Sequence, residues 1–266
     1  MTGIAAIKKK AKITGKSFLA ENICRMELET DLCAGAGPGQ FVLVYPPDRS
    51  RLLGRPLCIA DADDHSLTIV FRIAGGGTGE IACCREGDLI DIEGPLGKGY
   101  PYDEKTTDKK SIVLLGGGLG APSLLFLAKK LREKGSGALA VLGYRDSSLK
   151  HFLADDFRKL CDDTIITTDD GSEGLHGNVL DALAERKISA DLIYACGPMP
   201  MLSAVKAHAI KHGAEAYISL EEHMACGVGV CLGCVVKTKN TDEHSRVRNA
   251  RICTEGPVFA ASEVDI

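Results

Sequence analysis

The chain has 266 residues, a length that suits one large domain or two modest domains with a short appendage. Its composition, 45% hydrophobic and 26% charged, is typical of a globular protein that folds in water. The net charge of −4 offers no basic surface for nucleic acid or anionic lipid, and Met1 to Lys12 lacks the apolar core of a secretory signal.

The N-terminal part of the chain, up to about residue 100, reads as short strands separated by turns, with no convincing long helix. Each candidate strand is rich in Val, Ile, Leu, Phe or Tyr and is bounded by Gly, Pro or Asp. The candidates are Ile23 to Glu29, Gln40 to Tyr45, Ser66 to Ala74 and Asp88 to Glu93. This pattern predicts an antiparallel β-barrel or sandwich.

A polar segment from Tyr100 to Lys110 is predicted to be a linker, after which strands alternate with helices. The predicted strands are Ser111 to Leu115, Ala138 to Gly143, Thr164 to Thr168, Leu192 to Cys196 and Glu215 to Leu220. The predicted helices are Leu119 to Lys134, Leu149 to Leu160, Asn178 to Lys187 and Pro200 to His212. The alternation predicts a parallel α/β sheet with helices on both faces.

One uncharged stretch, Ser111 to Ala128, is long enough to be considered as a membrane span. Glycines and a proline interrupt it between Gly116 and Pro122. A buried strand, a glycine turn and a helix therefore explain the stretch better, and we expect no membrane association.

Cysteines are numerous, with 11 in the chain, and without a secretory signal they favour metal binding or redox chemistry over disulfides. One group near the C-terminus follows the spacing Cys-x4-Cys-x2-Cys with a distant fourth cysteine, which is typical of plant-type [2Fe–2S] ferredoxins. The predicted cluster ligands are Cys226, Cys231, Cys234 and Cys253.

The segment that holds these cysteines, from Glu221 onward, is rich in glycine and too short to form a core of its own. Gly227, Gly229 and Gly233 would let the backbone approach the sulfurs of a cluster. A structural zinc site would favour two Cys-x2-Cys pairs, of which this group has one, and four buried structural cysteines are the remaining alternative.

A glycine-rich turn follows the predicted strand that ends at Leu115 and leads into a helix. Glycines let the chain turn tightly and let a pyrophosphate approach the N–H groups at the helix N-terminus. The turn would be a plain connection in the absence of a ligand, but its strand–turn–helix context favours a nucleotide site. The expected contacts are Gly116, Gly117, Gly118 and Gly120.

Two further turns follow strands of the same predicted sheet and so lie on its carboxyl edge, where ligands bind. One spans Thr168 to Ser172, and the other contains the expected nucleotide contacts Cys196, Gly197 and Pro198. The second strand ends at Arg145 and Asp146, which favour NADP and NAD respectively, so the sequence leaves that choice open.

Two motifs in the N-terminal part, Arg55 to Cys58 and Gly77-Thr78, are weak evidence for a phosphate site by themselves. An Arg beside a Pro is also found at solvated strand ends. Combined with the turns above, however, they resemble the ferredoxin–NADP reductase superfamily over nearly the whole chain. Arg55, Pro56, Leu57 and Cys58 resemble its flavin-binding motif, with Cys58 where serine is usual and a weaker donor in its place. The resemblance implies further flavin contacts at Val70, Phe71, Arg72, Gly77 and Thr78.

The C-terminal segments Ser219 to Gly227 and Arg251 to Phe259 closely resemble the electron-transfer subunits of dihydroorotate dehydrogenase B. That resemblance implies a cytosolic protein with FAD and one [2Fe–2S] cluster, working in pyrimidine (UMP) synthesis. It also implies a catalytic partner that holds FMN, in a heterotetramer with two copies of each subunit. Electrons would pass from FMN through the cluster and FAD to NAD⁺, a path that needs no catalytic acid or base from this chain.

The expected domains are an FAD-binding β-barrel at residues 1–100, an NAD-binding α/β domain at 101–215 and a [2Fe–2S] subdomain at 216–266. Two other functions stay open from the sequence. One is a reductase subunit that serves another partner, such as a ferredoxin or a sulfide dehydrogenase. The other is a redox-sensing or zinc-stabilised binding module without electron transfer.

Overall fold

The N-terminal part of the chain forms a closed barrel of six antiparallel strands. A computed structural model describes residues 7–149, 153–241 and 246–266. The barrel strands are β1 Lys8–Ala20, β2 Ile23–Glu29, β3 Phe41–Tyr45, β4 Arg55–Ala62, β5 Ser66–Arg72 and β6 Leu89–Leu96. They neighbour one another in the order β1-β2-β5-β4-β3-β6, and buried aliphatic residues such as Ile13, Met26 and Ile69 fill the interior.

The predicted barrel is therefore confirmed, although two of its strands and one helix were not predicted. β1 carries lysines at five of its positions, and only Ala11 and Ile13 are buried, so its sequence hides the apolar alternation. The helix α1, Gly76–Cys83, is rich in glycine and intrinsically weak. The Thr78 hydroxyl stabilises its start by accepting hydrogen bonds from the N–H groups of Ala74 and Gly75, at 2.9 and 3.2 Å.

The second part is the predicted α/β sheet. Its strands up to residue 219 are β7 Ile112–Gly117, β8 Leu139–Tyr144, β9 Asp163–Thr168, β10 Leu175–His176, β11 Leu192–Cys196 and β12 Glu215–Ser219. The helices of this part are α2 Glu104–Thr107, α3 Ala121–Glu133, α4 Ala154–Leu160, α5 Val179–Glu185 and α6 Met199–His212. All six strands are parallel, as the alternation predicted.

The C-terminal segment returns to this sheet. It forms a short hairpin, β13 Val235–Lys237 with β14 Asn249–Arg251, and then the strand β15 Val258–Ala260. β15 pairs antiparallel with β12, so the complete sheet has the order β10-β9-β8-β7-β11-β12-β15. The segment also touches the barrel, because the N–H of Lys98 donates to the carbonyl of Gly256 at 2.5 Å.

One prediction in the α/β part was wrong. The helix predicted from Leu149 begins only at Ala154; Leu149 ends a short 3₁₀ turn, and residues 150–152 lie outside the described part of the chain. The segment predicted as a linker connects β6 to β7, but it contains α2 and starts with Tyr100, which is only 3% exposed. The Tyr100 ring packs among residues of both domains, a tertiary contact that a polar local sequence does not reveal.

The uncharged stretch from Ser111 to Ala128 folds as β7, a 3₁₀ turn over Gly118–Gly120 and most of α3. Among the described helices, none has the length and apolarity to cross a bilayer.

Helix α3 joins the two large parts. Its Lys129 ammonium contacts the Asp61 carboxylate of β4 at 2.7 Å, and its Phe126 is buried in the barrel's hydrophobic core. The glycine turn that precedes α3 therefore lies beside the barrel strands β4 and β5.

Candidate functional site

A cavity of about 570 Å³ lies where the barrel, the α/β sheet and the C-terminal segment meet. Its volume falls within the range of ordinary cofactor pockets, which are mainly apolar with a few polar groups. The neighbouring strands β4 and β5 supply one wall, and β11 and β12 supply the opposite side. Of the residues predicted to bind flavin or nucleotide, the structure brings seven to this cavity: Pro56, Leu57, Cys58, Val70, Phe71, Arg72 and Cys196.

Arg55 and Gly77 form a second part of the predicted flavin site. The Arg55 guanidinium lies directly against Gly77, where the absence of a side chain lets it approach the backbone of α1. Arg51 lies against Gly76 in the same way. Arg51 is ion-paired with the Glu80 carboxylate, so the Arg55 guanidinium and the N-terminus of α1 remain as the groups suited to a pyrophosphate, since both favour an anion.

Thiols and hydroxyls from both domains gather at the inner end of the cavity. The Tyr100 hydroxyl lies 3.5 Å from the Ser123 hydroxyl and 3.4 Å from the carbonyl oxygen of Ala195. The Cys196 thiol is hydrogen-bonded to the Ser123 and Ser219 hydroxyls. It also lies close enough to the Cys58 thiol to influence it electrostatically. Sequence reasoning missed Tyr100, Ser123 and Ser219, because they meet only through tertiary packing.

These thiols are protonated at neutral pH. Burial raises the pKa of Cys196 to about 12, and the charge of Glu221 adds to the effect. Burial also raises the pKa of Cys58 far above its ordinary value, with smaller contributions from the neighbouring Cys196 and Glu221. Cys58 therefore presents a neutral, weakly donating thiol where the resemblance predicted a serine hydroxyl.

The glycine turn after β7 packs closely against the turn after β11. A Cβ atom at Gly120 would overlap the carbonyl group of Cys196, and one at Gly117 would lie 2.9 Å from Pro198. Gly118 alone in the turn has a positive φ, of +52°, and open space where a side chain would be. Gly118 therefore marks where a ligand can approach, while Gly117 and Gly120 are needed for contact between the turns.

Acidic groups dominate the far end of this edge, beyond the ends of β8 and β9. Hydrogen bonds from Ser148 lower the pKa of Asp146, and hydrogen bonds from Ser172 lower that of Asp170. The two loops are joined by a 2.9 Å hydrogen bond from the N–H of Ser147 to the Ser172 hydroxyl. Two carboxylates in electrostatic contact favour a free ribose 2′-hydroxyl over a 2′-phosphate.

The start of the C-terminal segment forms the rim of the cavity. Glu221, Glu222, His223 and Met224 line it, none of which was predicted to do so. Desolvation by the cavity wall raises the pKa of the Glu221 carboxyl. The first predicted cluster ligand, Cys226, follows two residues after Met224, so one short segment connects the cavity to the cysteine group.

The four cysteines of this group form two pairs. The N–H of Cys231 donates to the Cys226 sulfur at 3.4 Å, and the two thiols are hydrogen-bonded to each other. The thiols of Cys234 and Cys253 form the second pair, and Cys253 interacts electrostatically with Cys226. Within the described residues, no three His, Cys, Asp or Glu side chains gather as they would around one metal ion. A two-iron cluster instead needs two pairs of thiolates.

Backbone N–H groups of the cysteine loop point at these sulfurs. Burial raises the pKa of Cys226. Hydrogen bonds to its sulfur lower the pKa, and the net value is about 7; the donors are the N–H groups of Cys231 and Val228, the Cys231 thiol and the N–H of Val230. Burial and the Cys234 thiol raise the pKa of Cys253 to about 12. A hydrogen bond from the N–H of Gly229 acts in the opposite direction and lowers it. The donor set therefore fits a sulfur-rich anionic cluster, whose sulfurs accept such hydrogen bonds.

Glycine fixes how this loop sits on the barrel. A Cβ at Gly227, which has a φ of +68°, would lie 2.6 Å from Leu43 and 3.3 Å from Leu96. Cys234 and Cys253 are buried beneath the loop, whereas Cys231 is exposed between Val230 and Leu232, which are 78% and 60% exposed. The cysteine group thus reaches the surface, with an apolar patch, Val230 and Leu232, around its most exposed cysteine.

Comparisons with known proteins agree with this geometry. Residues 221–265 match the family model described as the iron-sulfur cluster binding domain of dihydroorotate dehydrogenase B. The electron transfer subunit of dihydroorotate dehydrogenase B (NAD(+)) from Fusobacterium nucleatum is 41% identical over 236 residues, covering 86% of this chain and 87% of that protein. The subunit of the same name from Streptococcus mutans is 37% identical over 260 residues, covering 97% and 98%.

Among solved structures, a chain of the NADH-dependent reduced ferredoxin–NADP oxidoreductase is similar in both fold and sequence. It matches with a TM-score of 0.83 and 29% identity, and the match covers 100% of this chain and 91% of that chain.

Proposed function

The chain belongs to the family of electron-transfer subunits of NAD⁺-dependent dihydroorotate dehydrogenase B, and we propose from this that it carries electrons between a catalytic partner and NAD⁺ in pyrimidine (UMP) biosynthesis. The path runs from the FMN of the partner through the [2Fe–2S] cluster and FAD of this chain. The observation that carries the proposal is the short segment from Glu221 to Cys226, which lines the flavin cavity at one end and supplies a cluster ligand at the other.

The residues divide by cofactor. The cluster ligands are Cys226, Cys231, Cys234 and Cys253. The flavin contacts are Arg55, Pro56, Leu57, Cys58, Val70, Phe71, Arg72, Gly77 and Thr78. The nucleotide contacts are Gly116, Gly117, Gly118, Gly120, Cys196, Gly197 and Pro198. The corresponding domains are residues 1–100 for FAD, 101–215 for NAD and 216–266 for the cluster.

FAD is the necessary adapter, because it exchanges single electrons with a cluster and a hydride with a nicotinamide. The chain's own residues bind and orient. Arg55 and the N-terminus of α1 hold the pyrophosphate, and the apolar wall of β4 and β5 holds the flat ring system. The thiols of Cys58 and Cys196 are neutral, so they offer weak hydrogen-bond donors to the ring system.

The partner is an FMN-containing dihydroorotate dehydrogenase subunit, in an assembly with two copies of each chain in the cytoplasm. The apolar patch, Val230 and Leu232, supports docking at the cysteine loop, because large apolar side chains this exposed favour burial against another protein. Docking there would bring the partner's flavin close to Cys231, the most exposed of the four ligands.

The test is a visible spectrum of the chain purified anaerobically, alone and together with the FMN-containing partner. We expect flavin and cluster absorption in the chain alone, bleached by NADH. Dihydroorotate should bleach the same bands only when the partner is present. A chain with no flavin and with zinc in place of iron would overturn the proposal. Bleaching by NADH but never by dihydroorotate with the partner would reject the proposed donor.

A further inference from the structure

The hydroxyl oxygen of Thr254 is shielded from solvent and has no hydrogen-bond partner among the described residues. A threonine hydroxyl ordinarily finds one, since a buried donor without an acceptor destabilises the fold. The backbone N–H of Thr254 is already used, because it donates to the carbonyl of Arg251 at 3.2 Å. The side-chain hydroxyl is therefore a donor that the chain itself leaves unused.

The position of this hydroxyl indicates what it faces. Thr254 follows the cluster ligand Cys253, and its side chain packs against Gly229 inside the cysteine loop. A Cβ built on Gly229 would lie 3.2 Å from the Thr254 hydroxyl oxygen and 3.0 Å from its methyl carbon. The N–H of Gly229 in turn donates to the Cys253 sulfur. The hydroxyl thus lies beside a backbone donor that already serves a ligand sulfur.

We propose that the Thr254 hydroxyl donates a hydrogen bond to a sulfur atom of the [2Fe–2S] cluster and thereby raises its reduction potential. The inference rests on the proposed function, which places the cluster in this loop. Reduction adds one electron and places more negative charge on the sulfurs, so a donor stabilises the reduced form more than the oxidised form. The proton stays on Thr254 in both forms.

Three variants separate this role from simple packing. Thr254→Val keeps the shape and removes the hydroxyl, whereas Thr254→Ser keeps the hydroxyl. Thr167→Val is the matched control, because the Thr167 hydroxyl is also buried without a partner among the described residues but belongs to β9 of the α/β sheet. Iron and sulfide per chain are measured for each protein, and Thr254→Ala replaces Thr254→Val if the valine variant holds no cluster.

The reduction potential of the cluster is then measured by redox titration followed by electron paramagnetic resonance. We expect Thr254→Val to make one-electron reduction about tenfold less favourable, a shift of 59 mV to more negative potential. Thr254→Ser and Thr167→Val should stay within about twofold of the unchanged protein. A hydrogen bond to a cluster sulfur makes the Fe–S stretching frequencies shift when H₂O is replaced by D₂O. In the resonance Raman spectrum of Thr254→Val this isotope shift should be smaller than in the unchanged protein.

An unchanged potential in a cluster-loaded Thr254→Val protein overturns the inference, and so does an equal shift in Thr167→Val. The proposed function is tested separately by the same preparation, since an unmodified chain without iron and sulfide would reject the cluster itself.

Discussion

Gly120 lies so close to the carbonyl group of Cys196 that no side chain fits between the two residues. The contact joins the turn after β7 to the turn after β11. The strands β7 and β11 themselves are hydrogen-bonded neighbours in the sheet. Gly120 therefore helps to fix the relative positions of the two turns proposed to hold the nucleotide.

We predict that Gly120→Ala will separate these turns. The added methyl group would also lie 2.6 Å from the Gly197 nitrogen, so backbone must move, and we expect a loss of about 1–3 kcal/mol in the free energy of unfolding. Gly37→Ala is the control, since its added Cβ would meet only the Gln40 side chain, at 3.6 Å. Denaturant unfolding and the rate of flavin reduction by NADH measure both effects. Equal behaviour of the two variants would contradict the assigned contact.

Arg55→Ala should weaken FAD binding. Loss of a guanidinium that faces the proposed pyrophosphate removes charge-assisted hydrogen bonds, and we expect the dissociation constant of FAD to rise at least about tenfold. Arg55→Lys should recover only part of the affinity, because an ammonium cannot form two parallel hydrogen bonds. Arg85→Ala, on the exposed turn before β6, is the control. Flavin fluorescence during titration of FAD-depleted protein gives the constant, and an unchanged value would remove Arg55 from the site.

Cys231→Ser should remove the visible absorption of the iron–sulfur cluster and leave FAD in place. Cys231 does not line the flavin cavity, so flavin per chain should stay near that of the unchanged protein. Cys83→Ser, which changes an exposed thiol outside the loop, serves as the control. Iron, sulfide and flavin analyses decide the matter, and a full cluster in Cys231→Ser would reject the proposed ligand set.

Val230→Glu should weaken assembly with the FMN-containing partner. A carboxylate in the apolar patch would be desolvated on docking, and we expect the dissociation constant to rise about tenfold or more. Ile210→Glu is the matched control, because Ile210 is 64% exposed on α6 and lies outside the cysteine loop. Sedimentation velocity with the purified partner measures the change. If both variants assemble normally, docking takes place elsewhere.

Asp170→Asn should improve the use of NADPH. Asp146 and Asp170 interact electrostatically, so removing one carboxylate should lower the repulsion of a 2′-phosphate. We expect kcat/KM for NADPH to rise roughly fivefold at low salt. Asp169→Asn changes the neighbouring exposed carboxylate and is the control. Reduction of ferricyanide by NADPH and NADH with the chain alone gives the ratio. If the ratio of NADPH activity to NADH activity is unchanged in Asp170→Asn, the ribose 2′ position does not lie beside Asp170.

Much of the fold could be predicted from local sequence. The bounds predicted for β2 and β11 agree with the structure, and the parallel sheet and the family are confirmed. β1 was missed because its outward lysines mask two buried residues, and α1 because its glycines oppose helix formation. The start of α4 was predicted too early, since periodicity defines the interior of a helix better than its end.

The candidate site was less accessible to sequence reasoning. The cysteine spacing is a local pattern, because one tight loop supplies three of the proposed ligands. Tyr100, Ser123 and Ser219 come from three distant parts of the chain and carry no motif. Glu221 lines the cavity because β12 ends just before it, a placement that only the sheet topology reveals.

The cysteine segment leaves the sheet after β12 and returns to it as β15, the neighbouring strand. Its two ends are therefore anchored by the same ladder. The ladder brings the ends of the segment together, so the cysteines do not have to meet the entropy cost of closing this loop. We therefore expect an iron-depleted molecule to keep the pairing of β12 with β15, so that restoring iron and sulfide would not require the sheet to refold.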